Sequence, residues 1–150
     1  MVDIKPMVGS TGAVLVFVAN GCPTARSYEE RLNVLADKVR GRGLNVIAIN
    51  SNNPALSPPD LPEEMTKRAY RFPYIKDADG TLARKFGAIC TPHAFLVDRD
   101  LQVQYQGRID DSRLGDRITS RDLENAIGDV LAGQEVRVPR TEPFGCSIVW

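Results

Sequence analysis

Three cysteines and a single histidine hold most of the chemistry this sequence can perform. The run Asn20-Gly21-Cys22-Pro23 sets a thiol just ahead of a proline suited to the first helical position, so Cys22 caps a helix N-terminus. Unpaired N–H groups and the positive helix end stabilise a thiolate there, and such placement brings a cysteine pKa from about 8.5 to roughly 3.5–7.5. Cys22 is therefore the strongest nucleophile candidate; the competing reading is a small buried hydrophobe at a strand end. A local redox dithiol needs a second cysteine one turn on, where Ala25 stands, so any partner thiol comes from Cys90 or Cys146. Cys22, Cys90 and His93 together would also suit copper or zinc, a weaker reading because strand alternation can turn His93 away from the thiols.

The elements that position these residues follow from hydrophobic period. Val14 to Ala19 is a continuous β-branched and aromatic run, a central strand covered on both faces. Tyr28, Leu32, Leu35 and Val39 form one apolar stripe, so a single helix is expected from Pro23 to the glycines at 41 and 43. Asn45–Asn50 is a second buried strand, and this βαβ spacing makes the two strands parallel. Ser51 to Pro62 is a proline-rich loop. A short helix carries Leu61, Met65 and Ala69, Phe72–Lys76 reads as a third strand, and Leu82, Ala83 and Phe86 mark another helix ended by Gly87. Ala94–Asp98 and Leu101–Gln106 flank a two-residue turn at Arg99-Asp100, an antiparallel hairpin in which Pro92 would face Gly107. Thr119 and Asp122 form a capping-box-like start to a last helix with Leu123, Ala126, Ile127, Val130 and Leu131 inward.

This order is that of a thioredoxin-like α/β fold. A central mixed sheet, with a parallel βαβ half and an antiparallel hairpin, is flanked by helices and followed by an extended C-terminal tail. Residues 1–133 form the domain, and residues 134–150, with prolines at 139 and 143, form a tail that packs back on it. Thr91-Pro92 falls where thioredoxin-like proteins carry a cis-proline, so Pro23, Thr91 and Pro92 would line the substrate groove. Cys90, two residues before Pro92, is the natural resolving thiol. Arg108 and Asp110 would then lie near the thiol, Arg108 binding an anionic group or steadying the thiolate, with Asp110 and Asp111 holding the arginine. The alternative for Gly-Arg-Ile-Asp-Asp is a solvated charged loop. Cys146, in the tail, is either inert or a third thiol.

The segments N-G-C-P-T-A, A-I-N-S-N-N-P, F-P-Y-I-K-D, G-A-I-C-T-P-H-A-F-L-V-D, Y-Q-G-R-I-D-D and G-C-S-I together resemble the peroxiredoxin-like branch of the redoxin family, the alkyl hydroperoxide reductase and thiol-specific antioxidant grouping. The resemblance implies a thioredoxin-like fold with Cys22 in the place of the first dithiol cysteine. The peroxidatic cysteine of true peroxiredoxins corresponds to Ala25. Their pocket pattern Pro-x-x-x-Thr/Ser-x-x-Cys, counted back from Cys22, meets Leu15 and Ala19.

Composition narrows the function classes. The 150 residues include 19 basic and 19 acidic side chains, a formal net charge of +0, which gives no basic surface for nucleic acid. No apolar run approaches the roughly 20 residues of a membrane span. Three cysteines are too few for a disulfide scaffold, and the N-terminal residues lack a secretory pattern, so a cytoplasmic protein is expected, or a periplasmic or secreted one if the chain is trimmed. The leading expectation is a cofactor-free thiol–disulfide oxidoreductase. Cys22 attacks a protein or small-molecule disulfide, Cys90 resolves the mixed disulfide, and thioredoxin or glutathione returns the electrons. The alternatives are a thiol peroxidase with a Cys22 sulfenic acid, a Cys22/Cys90/His93 metal carrier, and a non-catalytic binding module.

Overall fold

The computed structural model describes residues 2–150. Strand β1 (Gly12–Phe17) is buried at every position and lies at the centre of a five-stranded sheet. It pairs in parallel with β2 (Leu44–Asn50), which pairs in parallel with β3 (Tyr74–Lys76). On its other side β1 runs antiparallel to β5 (His93–Asp98), which pairs with β6 (Val103–Gly107), so the sheet order is β3-β2-β1-β5-β6. A two-residue strand β4 (Cys90–Thr91) precedes β5, with the Thr91–Pro92 peptide cis between them.

Alternation along β1 divides the core in two. Val14 and Val16 face the helices α1 (Pro23–Ser27), α2 (Glu29–Val39) and α5 (Asp122–Leu131), packing with Leu32, Leu35, Leu123 and Ile127. Ala13, Leu15 and Phe17 face the opposite side, where α4 (Thr81–Phe86) contributes Leu82 and Ala83 and the tail contributes Ile148. Each fully buried Leu or Phe contributes about 1.5–3 kcal/mol, so both layers are needed to hold β1, the strand that delivers Cys22. No helix among the described residues is long and apolar enough to cross a membrane.

Several elements depart from the sequence pattern for local reasons. The expected single helix from Pro23 breaks at Tyr28: the Ser27 hydroxyl donates back to the Thr24 carbonyl at 2.6 Å, and the Tyr28 N–H bonds three residues back to Ala25. β3 starts at Tyr74 rather than Phe72, because Pro73 has no N–H to give the ladder. The helix after the proline-rich loop, α3 (Pro62–Met65), stops before Ala69, whose carbonyl is taken by the Asn33 amide.

The hairpin register also differs from a two-residue turn. Ala94, not Pro92, faces Gly107, and a bulge follows Leu96. The cause is Asp98, whose carboxylate accepts the N–H groups of Asp100 and Gln102, while Leu101 adopts a left-handed φ of 64° and lengthens the loop. At the last helix Thr119 does not cap: its hydroxyl and N–H bond to the Asp111 carboxylate, and α5 begins at Asp122, bonded by Ser120.

The tail after α5 follows the sheet edge and then crosses the cis-proline loop. Gln106 accepts from Thr141 and donates to Pro139, and the Thr141 hydroxyl bonds to Tyr105 and receives the Arg108 N–H. Phe144 packs on Tyr28. A final short strand, β7 (Cys146–Ser147), runs antiparallel to β4 with Cys146 opposite Thr91. Beyond it, Asn52 and Asn53 bind Val149 and Trp150, and Arg84 lies over the Trp150 ring.

Candidate active site

Cys22 is the N-cap of α1, with extended backbone and Pro23 at the first helical position, as its local sequence requires. The thiol is 2% exposed, beneath the tail. Its sulfur accepts the Ala25 N–H at 3.3 Å and, as a thiol, donates to the Thr91 carbonyl at 3.2 Å. The Thr91 hydroxyl donates to the Cys146 carbonyl at 3.5 Å, which ties the tail to the residue that touches the thiol. Burial pushes the Cys22 pKa up, but the hydrogen bonds from Cys146, Thr91 and the Ala25 N–H outweigh it and leave the group below the ordinary cysteine value. Because α1 has little more than one turn, individual N–H and O–H donors stabilise the thiolate rather than a full helix dipole.

Cys146 is the complement of Cys22. Burial, the contact with Cys22 and the negative charge on Cys22 all raise its pKa, with the Thr24 N–H and the Arg113 charge opposing. Cys90, the thiol expected to resolve Cys22, is placed differently. Its Sγ faces the Pro92 carbonyl at 3.9 Å, and burial first, then the charges of Cys22 and Cys146, push its pKa up to about 11. The thiol whose strand runs beside the helix that Cys22 caps is that of Cys146, opposite Thr91.

The other expected residues fall into two groups. Pro23 is exposed beside the thiol, and Thr91 and Pro92 are buried against it under the tail. Arg108 is not held by Asp110 or Asp111: its Nε bonds Asp122 at 2.6 Å and ties the end of β6 to α5. Asp110 instead pairs with Arg31 at 2.7 Å and accepts the Tyr28 hydroxyl at 2.8 Å, while Asp111 holds Thr119 and Ser120. The guanidinium whose charge reaches a thiol belongs to Arg113, whose carbonyl is fixed by Arg31 and Ser27. His93 accepts the Ile89 N–H through Nδ1 and stacks on Phe95, its pKa lowered to about 4 by burial and by the Arg140 charge. The Cys22/Cys90/His93 ligand set is not assembled: among the described residues no three His, Cys, Asp or Glu side chains gather as metal ligands. Strand alternation and the bond to Ile89 commit the imidazole elsewhere.

A buried polar network behind the thiol has no counterpart in the sequence reading. Asp60, fully buried, accepts the Asn20 N–H at 2.6 Å and the side chains of Asn50, Asn52 and Ser57. Tyr74 donates to the Asn20 side chain, and the Lys76 ammonium bonds Asn50, Asn52 and the Asp60 carbonyl. These contacts fix the turn that presents Cys22. The Asn50-Ser51-Asn52-Asn53-Pro54 run, dense in Asx residues beside a buried strand, was the available signal.

The chain has a thioredoxin-like sheet with a buried, hydrogen-bonded cysteine next to a cis-proline. The chain belongs to the AhpC/TSA family, whose pattern matches residues 2–106. It is similar to the thiol-disulfide oxidoreductase ResA of Bacillus thuringiensis subsp. konkukian, 24% identical over 102 residues, covering 68% of this chain and 57% of ResA. The chain thus spans less than two thirds of the length of the curated relatives it matches. An uncharacterized conserved protein from Geobacillus kaustophilus superposes with a TM-score of 0.91 at 34% identity, over 99% of this chain and 82% of that one. A hypothetical protein from Sinorhizobium meliloti 1021 gives 0.85 at 36% identity, over 95% and 81%.

Proposed function

We propose that the protein reduces or exchanges disulfides, with Cys22 Sγ as the attacking thiolate. The observation that carries this reading is the placement of a buried sulfur at the cap of α1, where it accepts the Ala25 N–H at 3.3 Å beside the cis Thr91–Pro92 peptide, and its pKa lies below the ordinary cysteine value. The thiolate attacks one sulfur of a protein or small-molecule disulfide, forms a mixed disulfide and expels the other sulfur as a thiolate. Pro23, Thr91 and Pro92 border the reacting atom, and thioredoxin or glutathione supplies the reducing electrons.

Peroxide reduction by the same sulfur is the competing chemistry. Ala19, at the Thr/Ser position of the Pro-x-x-x-Thr/Ser-x-x-Cys pattern, has no hydroxyl to offer a peroxide, and Leu15, at the Pro position, is fully buried in the apolar layer. Turnover of a disulfide substrate coupled to a thiol reductant tests the proposal. Cys22→Ser should abolish it; undiminished turnover in that variant would reject Cys22 as the nucleophile.

A further inference from the structure

We propose that Cys146, carried on the C-terminal strand, is the thiol that resolves Cys22, so that the working redox pair joins the helix cap to the tail. The inference rests on Cys22 being the attacking thiolate.

Four independent features place Cys146 there. Strand pairing sets it opposite Thr91, the residue before the cis-proline, and Thr91 itself touches the Cys22 sulfur. Strand β7 lies against α1, the helix that Cys22 caps, Cys146 packs on the core cluster that contains Cys22, and the Thr91 hydroxyl donates to the Cys146 carbonyl at 3.5 Å. The tail is anchored on both sides of the cysteine, by Thr141 before it and by buried Ile148 and the Asn52–Val149 bond after it. Finally, Gly145 passes so close to β4 that a Cβ there would lie 1.9 Å from the Thr91 carbonyl oxygen, at a φ of +148°. Only glycine permits this approach, and the approach is what delivers the next residue's sulfur to Cys22.

The chemistry balances with an external thiol reductant. The Cys22 thiolate attacks a disulfide R–S–S–R′, making Cys22–S–S–R and releasing R′–S⁻. Cys146, giving up its proton, attacks the Cys22 sulfur, forms the Cys22–Cys146 disulfide and releases R–S⁻. The two leaving thiolates take up the protons the enzyme thiols lost. Two electrons have moved from the dithiol to the substrate, and a monothiol or dithiol reductant restores the pair.

The probe is glutathione disulfide, mixed with fully reduced protein, acid-quenched over time and followed by intact mass and non-reducing peptide mapping. Wild type should release both glutathione halves and end with a Cys22–Cys146 bridge, and Cys90→Ser should still form that bridge. Cys146→Ser should stall as the Cys22–glutathione adduct. Gly145→Ala, which keeps all three thiols and displaces the strand, should accumulate the same adduct. A Cys22–Cys90 bridge in wild type, or release of the second glutathione by Cys146→Ser at the wild-type rate, overturns the proposal while leaving Cys22 as nucleophile. Failure to form any adduct on Cys22 rejects the oxidoreductase reading and this proposal with it.

Discussion

Lowering the pH should destabilise the fold through His93. The imidazole is buried, accepts the Ile89 N–H through Nδ1 and feels the Arg140 charge, and its pKa falls from 6.5 to about 4. A histidine with a depressed folded pKa binds its proton more weakly in the native state than in the unfolded chain. Its stabilising effect is complete above about 6.5 and is lost as pH falls through about 4. At 1.36 kcal/mol per pH unit, that interval corresponds to about 3 kcal/mol, a large share of the roughly 5–15 kcal/mol stability of a domain. Protonation would also remove the acceptor for Ile89, which sits just before β4 and bonds Ile148 of the tail. The assay is denaturant unfolding between pH 7 and 4 for wild type and His93→Gln, whose side-chain carbonyl can still accept the Ile89 N–H. Wild type should lose about 3 kcal/mol more than the variant over this range. Parallel stability curves would refute the reasoning, because the carboxylates contribute equally to both proteins.

Three further outcomes follow from the site. Cys90, with its pKa raised to about 11, should alkylate at neutral pH about a hundredfold more slowly than a free cysteine in a peptide-resolved labelling experiment; labelling at the free-thiol rate would contradict the assignment. Asp60→Asn turns amide donors toward the Asn20 N–H and should cost at least about 2 kcal/mol in chemical unfolding while slowing disulfide exchange by Cys22; an unchanged midpoint would show that the network does not hold the turn. Hydrogen peroxide should oxidise Cys22 at the rate of an unassisted thiolate in stopped-flow measurements, and a rate matching dedicated peroxidases would restore the peroxidase reading.

What the sequence disclosed was what local chemistry decides. Pro23 after Cys22 defines a helix start within a few residues, and the β1 run is apolar enough to be read as a central strand. The hairpin register failed because one carboxylate, Asp98, and one left-handed residue, Leu101, lengthened the loop, and neither has a strong local signature. The shorter register places Arg108 near the thiol, but Asp122 draws it off, while Arg113 arrives through the Tyr28–Arg31–Asp110 cluster that folds its loop back. The placement of Cys146 beside the helix that Cys22 caps was least legible. It depends on the path of a tail set by Thr141, Gly145 and Asn52, contacts between segments far apart in sequence.

Both the exchange reaction and its resolution by the tail require Cys22 to be a stabilised thiolate. Titrating the thiolate ultraviolet absorbance against pH, in wild type and Cys22→Ser, measures this without requiring a reagent to pass the tail. Wild type should show a step below the ordinary cysteine value that is missing from the variant. An absence of any step below that value, or one that persists in Cys22→Ser, would contradict it.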